Sequence, residues 1–585
     1  MGEAYFISRR PFLPWIYTGR RAFLCSPAGR SYGGTALDRM SVQGTGAVCR
    51  VLSPGRRSDA GPVNARPGAA LSPVIPQRRD NALSRTGMDA FILLSYYGIL
   101  YGFPSPFQGK PGHGIRYLEN VCTERMKPKT GVSFHAANYK KEIIGGALVG
   151  RWNPRVDGEH AAHVLSAAVA LATLSVKEPE EKDLKSFLAM QELLRQEYPT
   201  LFSAAHAQTV AGGSLLMLLP GAQKARPLLF LCHLDVMPVE EADLPLWEKP
   251  PFSGEVAGGY VWGRGAWEGK GRLIALCEAA EALLKNGWRP SADIWFAFSQ
   301  DAEVFGASAK QMCRILQAQG AEPAFILDGG GAVEDGFAKV GVAEKGYANI
   351  SLSISGKGGY AADPGADTDL DKLMLAAARV AKKPMKPVLC KPSEWMFRAM
   401  APHMDFFLKG AYGYPGFFLP VLRLLMQKGR IPQAELRSTA VPTKVRASGI
   451  ADMLPRQPML TFHCRILPGE TVEQVISHLR KAAGQGDIRL IVEGAEQPSG
   501  LSPAGGAAWE AISTAIQILF PDAVPVPCLY YHTTDARCYE ELSGNIYRFT
   551  PFRAREGEGL RAVNERISVA NLELGIQYYQ QMLQA

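Results

Sequence analysis

Strand-like apolar runs alternate with amphipathic helical patterns from about residue 161 onwards. Strands are predicted at 227–232, 260–263, 293–299 and 324–327, and helices at 161–173, 181–197, 272–286 and 307–319. Strands that alternate with helices in this way form a largely parallel sheet with helices on both faces. The pattern therefore predicts an α/β fold, in which the loops after the carboxyl ends of the strands build the functional site.

The pattern changes between residues 347 and 497. Alternating strands at 350–355 and 459–467, each followed by a helical pattern, at 370–382 and 472–483, predict a small α/β sandwich. An aromatic-rich insertion at 386–446 interrupts it, and the pattern does not place this insertion. The α/β pattern resumes at 509–519 and ends in a helix at 569–583. We therefore predict a main domain formed by 151–346 and 498–585, with a smaller domain, 347–497, inserted into it.

Residues 1–87 show no helical or strand periodicity and are rich in Gly, Pro, Ser and Arg. They are interpreted either as a targeting or disordered segment, or as a region upstream of a true start at Met88. Residues 88–150 contain an apolar stretch, 90–103, and a connector. The stretch is shorter than the roughly 20 residues of a spanning helix, so a signal-like segment, a weak membrane anchor and an arm packed on the body all stay open.

The positive charge of the chain lies at its front. Residues 1–88 contain thirteen arginines, no lysine and four acidic residues, an excess of nine that equals the formal net charge of +9 for all 585 residues. The rest of the chain is therefore neutral and gives no electrostatic argument for a nucleic-acid partner. A hydrophobic content of 47% indicates a globular interior and excludes a disordered or fibrous protein.

The ten cysteines are scattered and form no CxxC pair. In a chain of this length the pattern is typical of reduced, mostly buried thiols and disfavours a cysteine zinc site. It predicts a cytoplasmic protein, with membrane anchoring or export through 88–103 left open.

A histidine and an aspartate, His233 and Asp235, stand two residues apart where the strand at 227–232 runs into a loop. Positions i and i+2 of a strand lie on one side, so the Asp235 carboxylate is predicted to orient the imidazole or to stand beside whatever the ring binds. By itself, such a pair is more typical of a hydrogen-bonded histidine at a strand end than of a metal ligand.

Further motifs follow this pair in order: WEKPPFSGEVAGGYVWGRGAWEGKG (247–271), FSQDAEVFGASA (298–309), FILDGGGAV (325–333) and AEKGY (343–347). Shorter motifs, among them HCRILPGETVE, TTDARCY and VNERISV, continue towards the C-terminus. Together they resemble the dinuclear zinc peptidase and aminoacylase family, peptidase family M-twenty. That family includes carboxypeptidase G, succinyl-diaminopimelate desuccinylase and the N-acyl-amino-acid hydrolases. The resemblance covers roughly residues 151–585.

In that family two zinc ions share a bridging carboxylate and a water molecule, a glutamate removes the water's proton, and the hydroxide attacks an amide carbonyl. The resemblance implies that His233 and Asp328 bind one zinc ion and that Glu303 binds the other. It implies that Asp235 orients the His233 ring. Glu268 stands at the position of the bridging aspartate, with an arm longer by one methylene.

Further departures from the family pattern fall on the general base and on a zinc ligand. The general base falls on Ala302, whose methyl group cannot accept a proton, although such a base contributes roughly 10²- to 10⁴-fold to the rate. The last zinc histidine falls on Arg561, whose guanidinium offers no lone pair. We predict that this guanidinium lies against Glu268 and Glu303 as a fixed cation in the place of the metal.

The resemblance also assigns substrate-binding positions in the inserted domain. Arg465 of the HCRILPG motif is assigned to the substrate's carboxylate. Tyr360 stands at the family's lid histidine, and Asp452 stands at a family asparagine. His532, beside the TTDARCY motif, is interpreted as a surface or supporting histidine rather than as a zinc ligand.

Two functions follow. The first is a hydrolase of N-acyl amino acids or dipeptides that uses zinc, one ion at most, held by His233, Glu268 and Asp328. The second is a catalytically inactive homologue that keeps the pocket and lid as a binding or regulatory subunit. Four substitutions at separate motifs, each at a functional position among glycines and prolines that persist, favour loss or change of the ancestral reaction. The expected ligand is a small peptide or an N-acyl amino acid, and the resemblance implies a homodimer through the inserted domain.

Overall fold

The computed structural model describes residues 16–18, 21–27, 47–50, 153–175, 184–429, 431–484, 486–555, 557–558 and 561–585. The chain divides into two compact units, Met1–Phe134 and His135–Ala585. In the first unit three short antiparallel strands are described, β1 (Ile16–Thr18), β2 (Arg21–Pro27) and β3 (Ala47–Arg50). The sequence predicts no strand there, because runs this short carry no periodicity. The apolar stretch 90–103 lies outside the described residues.

The elements of the second unit follow in chain order. The strands are β4 (His206–Val210), β5 (Ser214–Leu219), β6 (Leu228–His233), β7 (Val256–Ala257), β8 (Tyr260–Trp262), β9 (Ile294–Ser299), β10 (Phe325–Glu334), β11 (Phe337–Glu344), β12 (Gly346–Ile354), β13 (Gly359–Tyr360), β14 (Thr439–Arg446), β15 (Met453–Leu454), β16 (Met459–Ile466), β17 (Ile488–Glu496), β18 (Val524–Tyr530), β19 (Ile546–Arg553) and β20 (Arg566–Ser568). The helices are α1 (Gly158–Ala170), α2 (Lys185–Glu197), α3 (Pro199–Ala204), α4 (Lys270–Lys285), α5 (Ser308–Ala318), α6 (Asp369–Lys382), α7 (Lys391–Met400), α8 (Phe406–Gly413), α9 (Leu419–Gln427), α10 (Gln433–Leu436), α11 (Val472–Ala483), α12 (Ala507–Leu519) and α13 (Val569–Leu583). Among the helices described, none is long and apolar enough to span a bilayer.

An eight-stranded sheet forms the centre of the main domain, in the order β18-β11-β19-β10-β6-β9-β5-β4. Its middle strands, β19, β10, β6 and β9, run parallel. At one side of the sheet β5 runs antiparallel to β9, and β4 runs antiparallel to β5. At the other side β11 runs antiparallel to β19. The carboxyl ends of the four middle strands therefore meet at one edge of the sheet, where an α/β fold builds its site.

Both faces of this sheet are covered, as the side chains of β6 show. Leu228, Phe230 and Cys232 enter a core shared with α1, α4, α12 and α13. Leu229 and Leu231 point the other way, into a core shared with α5. Such a fully apolar strand is typical of a sheet buried on both sides. The predicted fold class, a mostly parallel sheet with helices on both faces and a smaller inserted domain, is confirmed.

The inserted domain has its own sheet and core. Its antiparallel sheet has the order β14-β16-β12-β17. Helices α6 and α11 pack on one face, where Leu352, Leu373, Phe462 and Leu479 are completely or almost completely buried. Both helices begin with a capping box, at Thr368 and at the corresponding threonine of α11. The two strand–helix pairs expected from the alternating pattern thus form a two-layer α/β sandwich.

The insertion at 386–446, which the sequence does not place, forms helices α7 to α10 before the chain enters β14. These helices enclose a small apolar core that includes Met396, Phe397, Leu422 and Leu436. Cys528 of β18 belongs to the same core, so α7 packs against the last strand of the main sheet. The insertion is therefore attached to the main domain as well as to the inserted one.

A histidine links three helices of the main domain. His160 on α1 has its Nδ1 2.7 Å from Glu278 Oε1 on α4 and its Nε2 3.2 Å from Glu197 Oε2 on α2. Burial acts to lower the pKa of His160, but Glu278 and Glu197 outweigh it and raise that pKa above its usual value. Burial also raises the pKa of Glu278. His160 and Glu278 are therefore both charged at pH values between their two raised pKa values.

We expect His160→Gln to destabilise the protein most below about pH 6.5 and less as the pH rises through the raised folded-state pKa of His160. Because folding raises the pKa of His160, its protonated form contributes fully below the unfolded-state value of about 6.5, and the contribution is lost as pH rises through the folded-state pKa. Urea unfolding of wild type and variant at several pH values measures the difference, and the exposed His163→Gln is the control. A difference that grows with rising pH contradicts the assignment.

Candidate active site

The predicted site residues gather where the parallel strands end. His233 is the last residue of β6, and Glu303 follows β9 in a single 3-10 turn, Ala302–Val304. Asp328 lies within β10, the neighbour of β6 on the other side. Glu268 is in the loop before α4. The sheet therefore brings together four side chains that are far apart in sequence.

His233 is buried and held by Asp235. Its Nδ1 lies 2.9 Å from the Asp235 carbonyl oxygen, which can only accept, so Nδ1 carries the proton. The Nε2 atom faces Glu268 Oε1 at 3.9 Å. Gly269 has a positive φ of 86°, and a Cβ there would lie 2.7 Å from the imidazole Cε1, so only glycine lets the ring approach this loop.

The Asp235 carboxylate fixes the surrounding loops. Its Oδ2 accepts hydrogen bonds from Ser175 Oγ at 2.7 Å and from the Glu303 backbone N–H at 2.9 Å. Burial acts to lower the pKa of His233, but Asp235 and Glu268 raise it well above its usual value. The carboxylate lies beside the ring, with Oδ1 3.3 Å from His233 Nδ1, and ties the loop after β9 to the end of β6. Its role in orienting the ring stays a prediction.

Arg561 lies against Glu268 and Glu303, as predicted from the sequence. Its Nη2 donates to Glu268 Oε1 at 3.1 Å and lies 3.5 Å from Glu303 Oε1. Glu268, assisted by Glu303, raises the pKa of Arg561. Burial acts to raise the pKa of Glu268, but Arg561 and His233 lower it overall. Arg561 holds a positive φ of 56°, a conformation that costs non-glycine residues free energy and is maintained by its surroundings.

A second arginine, which the sequence reasoning missed, lies at the other carboxylate. Arg272, in the first turn of α4, is 2% exposed, and its Nη2 is 3.5 Å from Asp328 Oδ1. Asp328 also accepts hydrogen bonds from the backbone N–H of Gly329 at 2.6 Å and of Ala536 at 3.1 Å. The only available signal was an arginine four residues after Glu268, in the same motif.

The donors do not fit a paired zinc centre. Glu268 and Glu303 both form ion pairs with Arg561, and Asp328 forms an ion pair with Arg272 and accepts hydrogen bonds from backbone N–H groups. Within the described part of the chain, no group of three or more His, Cys, Asp or Glu side chains is arranged to hold a metal ion.

Glu565, also missed as a functional position, supports the loop that carries Glu268. Its Oε1 accepts from the backbone N–H groups of Gly265 at 3.1 Å, Trp267 at 3.2 Å and Glu268 at 3.0 Å. Its Oε2 forms an ion pair with Arg264 at 2.8 Å. Glu565 is fully buried, so one carboxylate fixes the backbone of this loop.

Ala302 begins the 3-10 turn that carries Glu303, and its side chain is half-buried. A methyl group at this place can neither take nor give a proton. The turn ends at Phe305, which has a positive φ of 57° and stacks on Tyr347 of the inserted domain with ring centroids 4.7 Å apart. This contact joins the loop after β9 to the inserted domain.

The substrate-binding positions separate into two groups. Arg465 on β16 is half-buried and donates to Thr533 Oγ1 at 2.5 Å, next to the end of β18. Burial, together with the charges of Arg561 and Arg465, lowers the pKa of His532 to about 4. Tyr360 and Asp452 are exposed together where β13 pairs with β15. No hydrogen bond or ion pair joins these two to His233 within the described ranges.

Sequence comparison supports the motifs. A model of the peptidase family M20/M25/M40 matches residues 229–585. The N-fatty-acyl-amino acid synthase/hydrolase PM20D1 of Mus musculus is 27% identical over 438 residues, 72% of this chain and 86% of that protein. Carboxypeptidase S of Saccharomyces cerevisiae is 27% identical over 447 residues, 66% of this chain and 76% of that protein.

Solved structures show the same fold. A family M20 metallo-carboxypeptidase from Sulfolobus solfataricus matches with a TM-score of 0.56 and 14% identity, over 72% of this chain and 98% of that one. Human carnosine dipeptidase 1 matches with a TM-score of 0.53 and 14% identity, over 73% of this chain and 96% of that one. At this identity the likeness concerns the fold alone.

Proposed function

Because the chain belongs to peptidase family M20/M25/M40, we propose that its site receives an N-acyl amino acid or a short peptide. The names of its relatives, an N-fatty-acyl-amino acid hydrolase and a carboxypeptidase, support this ligand class. Ligands of both kinds end in a free carboxylate. The proposal is that this protein binds such a ligand by its carboxylate and does not cleave it by the family's zinc-activated water.

The observation that carries the proposal is the state of Arg465. This half-buried guanidinium donates to a hydroxyl, Thr533 Oγ1, and has no ion-pair partner in the part of the chain that the structure describes. Burial lowers the pKa of Arg465, the Glu344 carboxylate acts to raise it, and the nearby cations Arg537 and Arg561 lower it. A desolvated cation that lacks a direct ion-pair partner is costly. A ligand carboxylate supplies that counter-ion through charge-assisted hydrogen bonds.

The absence of a base supports binding without hydrolysis. Ala302 cannot accept a proton, and Arg561 holds the carboxylates of Glu268 and Glu303. The role proposed for this chain is therefore that of a binding or regulatory subunit with the architecture of an amide hydrolase. At most one zinc ion accompanies it.

We expect Arg465→Gln to weaken binding of an N-acyl amino acid about 10- to 100-fold, since a hydrogen bond to a charged group contributes about 1.5–3 kcal/mol. Titration calorimetry with an N-acyl amino acid and with its methyl ester measures the effect. The ester should bind the wild type as weakly as the acid binds the variant. Arg489→Gln, an exposed arginine on β17, is the control and should not change the affinity. Equal binding of acid and ester overturns the proposal.

A second candidate function is hydrolysis on a single zinc ion. His233 Nε2 and Glu268 Oε1 are 3.9 Å apart, and zinc binds nitrogen and oxygen ligands at about 2.0–2.2 Å, so both atoms could reach one ion. Zinc-dependent turnover by the wild type that His233→Ala abolishes would establish this function in place of the first.

We also propose that the protein forms a homodimer and that it is cytoplasmic. A homodimer through the inserted domain is supported by exposed apolar side chains on its outer strands, Val441 and Val445 on β14 and Val492 on β17.

A cytoplasmic location is supported by the free cysteines of the described residues, six of which are buried. Anchoring or export through 88–103 remains the alternative.

A further inference from the structure

The carboxylates assigned to zinc are all paired with guanidinium groups. Arg561 contacts Glu268 at 3.1 Å and Glu303 at 3.5 Å, and Arg272 contacts Asp328 at 3.5 Å. The sequence identified the first arginine as a replacement for a zinc histidine. The second arginine, Arg272, lies at Asp328, a carboxylate of the other metal position. The sequence predicts that this half of the site binds a zinc ion.

Arg272 is built into the fold at this place. It occupies the first turn of α4, is 2% exposed, and its Nη1 donates to the carbonyl oxygen of Leu231 on β6 at 3.4 Å. A Cβ at Gly329 would lie 2.2 Å from the guanidinium carbon. The glycine after Asp328 thus leaves the space that the guanidinium fills.

The electrostatic setting of Asp328 is complete without a metal. One oxygen accepts from the Gly329 N–H and faces Arg272, and the other accepts from the Ala536 N–H. A guanidinium has no lone pair to share with a metal, and its charge repels a divalent cation a few ångströms away.

We propose that Arg272 and Arg561 are built-in cations that replace both metal ions of this family, so that the protein binds no zinc at this site and folds without it. The inference rests on the proposed function, in which the site binds a ligand and does not cleave it. It adds that a guanidinium, that of Arg272, also occupies the half of the site formed by His233, Glu268 and Asp328.

Zinc analysis of the full-length protein tests this directly. After dialysis against zinc and then against buffer, elemental analysis of the wild type should find no zinc above the buffer blank, and EDTA should leave the unfolding temperature unchanged. One tightly bound zinc per chain overturns the inference about Arg272 but leaves carboxylate binding by Arg465 intact. Two zinc ions per chain overturn the proposed function as well.

Variants at Arg272 provide the matched comparison. Arg272→Ser removes the cation and should gain about one zinc ion per chain, seen as a rise in unfolding temperature when zinc is added. Arg272→Lys keeps the charge and should gain none. Should Arg272→Ser fail to fold, Arg561→His, at a side chain 34% exposed, provides the same readout at the other position. Zinc bound equally by the serine and lysine variants contradicts the role of the charge.

Discussion

The triple variant Ala302→Glu, Arg272→Ser, Arg561→His is expected to hydrolyse N-acyl amino acids in a zinc-dependent reaction. The two arginine replacements remove the cations that pair with Glu268, Glu303 and Asp328. The replacement at 302 adds a proton acceptor on the turn after β9. A general base contributes roughly 10²- to 10⁴-fold to such a reaction. Turnover should therefore exceed by that factor the turnover of the double variant that retains Ala302.

The measurement is release of the free amino acid over a panel of N-acyl amino acids and dipeptides, with and without zinc. The double variant is the matched control, because it differs only at position 302. Adding His233→Ala to the triple variant should abolish the gain. A wild type that already turns over as fast as the triple variant would show that the native side chains support hydrolysis.

Glu565→Gln is expected to destabilise the protein by about 3–5 kcal/mol, the usual cost of removing one partner of a buried ion pair. The change leaves Arg264, 8% exposed, without its counter-ion. It also weakens acceptance from the three backbone N–H groups of the loop that carries Glu268. Chemical denaturation followed by circular dichroism gives the free energy of unfolding.

The control for this measurement is Glu240→Gln, at an exposed position. A surface change of this kind should alter the free energy of unfolding by less than about 0.5 kcal/mol. Equal effects of the two substitutions would mean that the ion pair of Glu565 with Arg264 adds nothing to stability. Loss of stability together with loss of ligand binding would show that the loop positions the site.

The elements with strong periodicity were predictable from the sequence. Helices α11 and α13 begin and end at the predicted residues, because an apolar stripe at helical spacing follows a side-chain cap at Thr471 and at Ser568. Strand β18 was missed because Pro525 and Pro527 break its pattern. Proline is tolerated on an edge strand, where its missing N–H needs no partner, and this position in the sheet cannot be read locally.

The site was predictable only where local motifs carry it. His233 and Asp235 share a strand end, and the contact of Arg561 with Glu268 and Glu303 follows from the resemblance. The roles of Arg272 and Glu565 depend on tertiary packing: Glu565 bonds a loop about 300 residues before it. An arginine in a helix and a glutamate after an asparagine carry no signal of such partners.

The packing of α7 on β18 bears on how an edge of the main sheet is protected. An open sheet ends in a row of backbone groups that another chain can pair with, and natural proteins blunt such a border with prolines or a covering helix. β18 has both protections, two prolines in its own backbone and α7 packed beside it. The helical insertion and the two prolines thus make this edge a poor template for another strand. A homologue that lacks the helical insertion needs another means of protecting the sheet edge formed by β18.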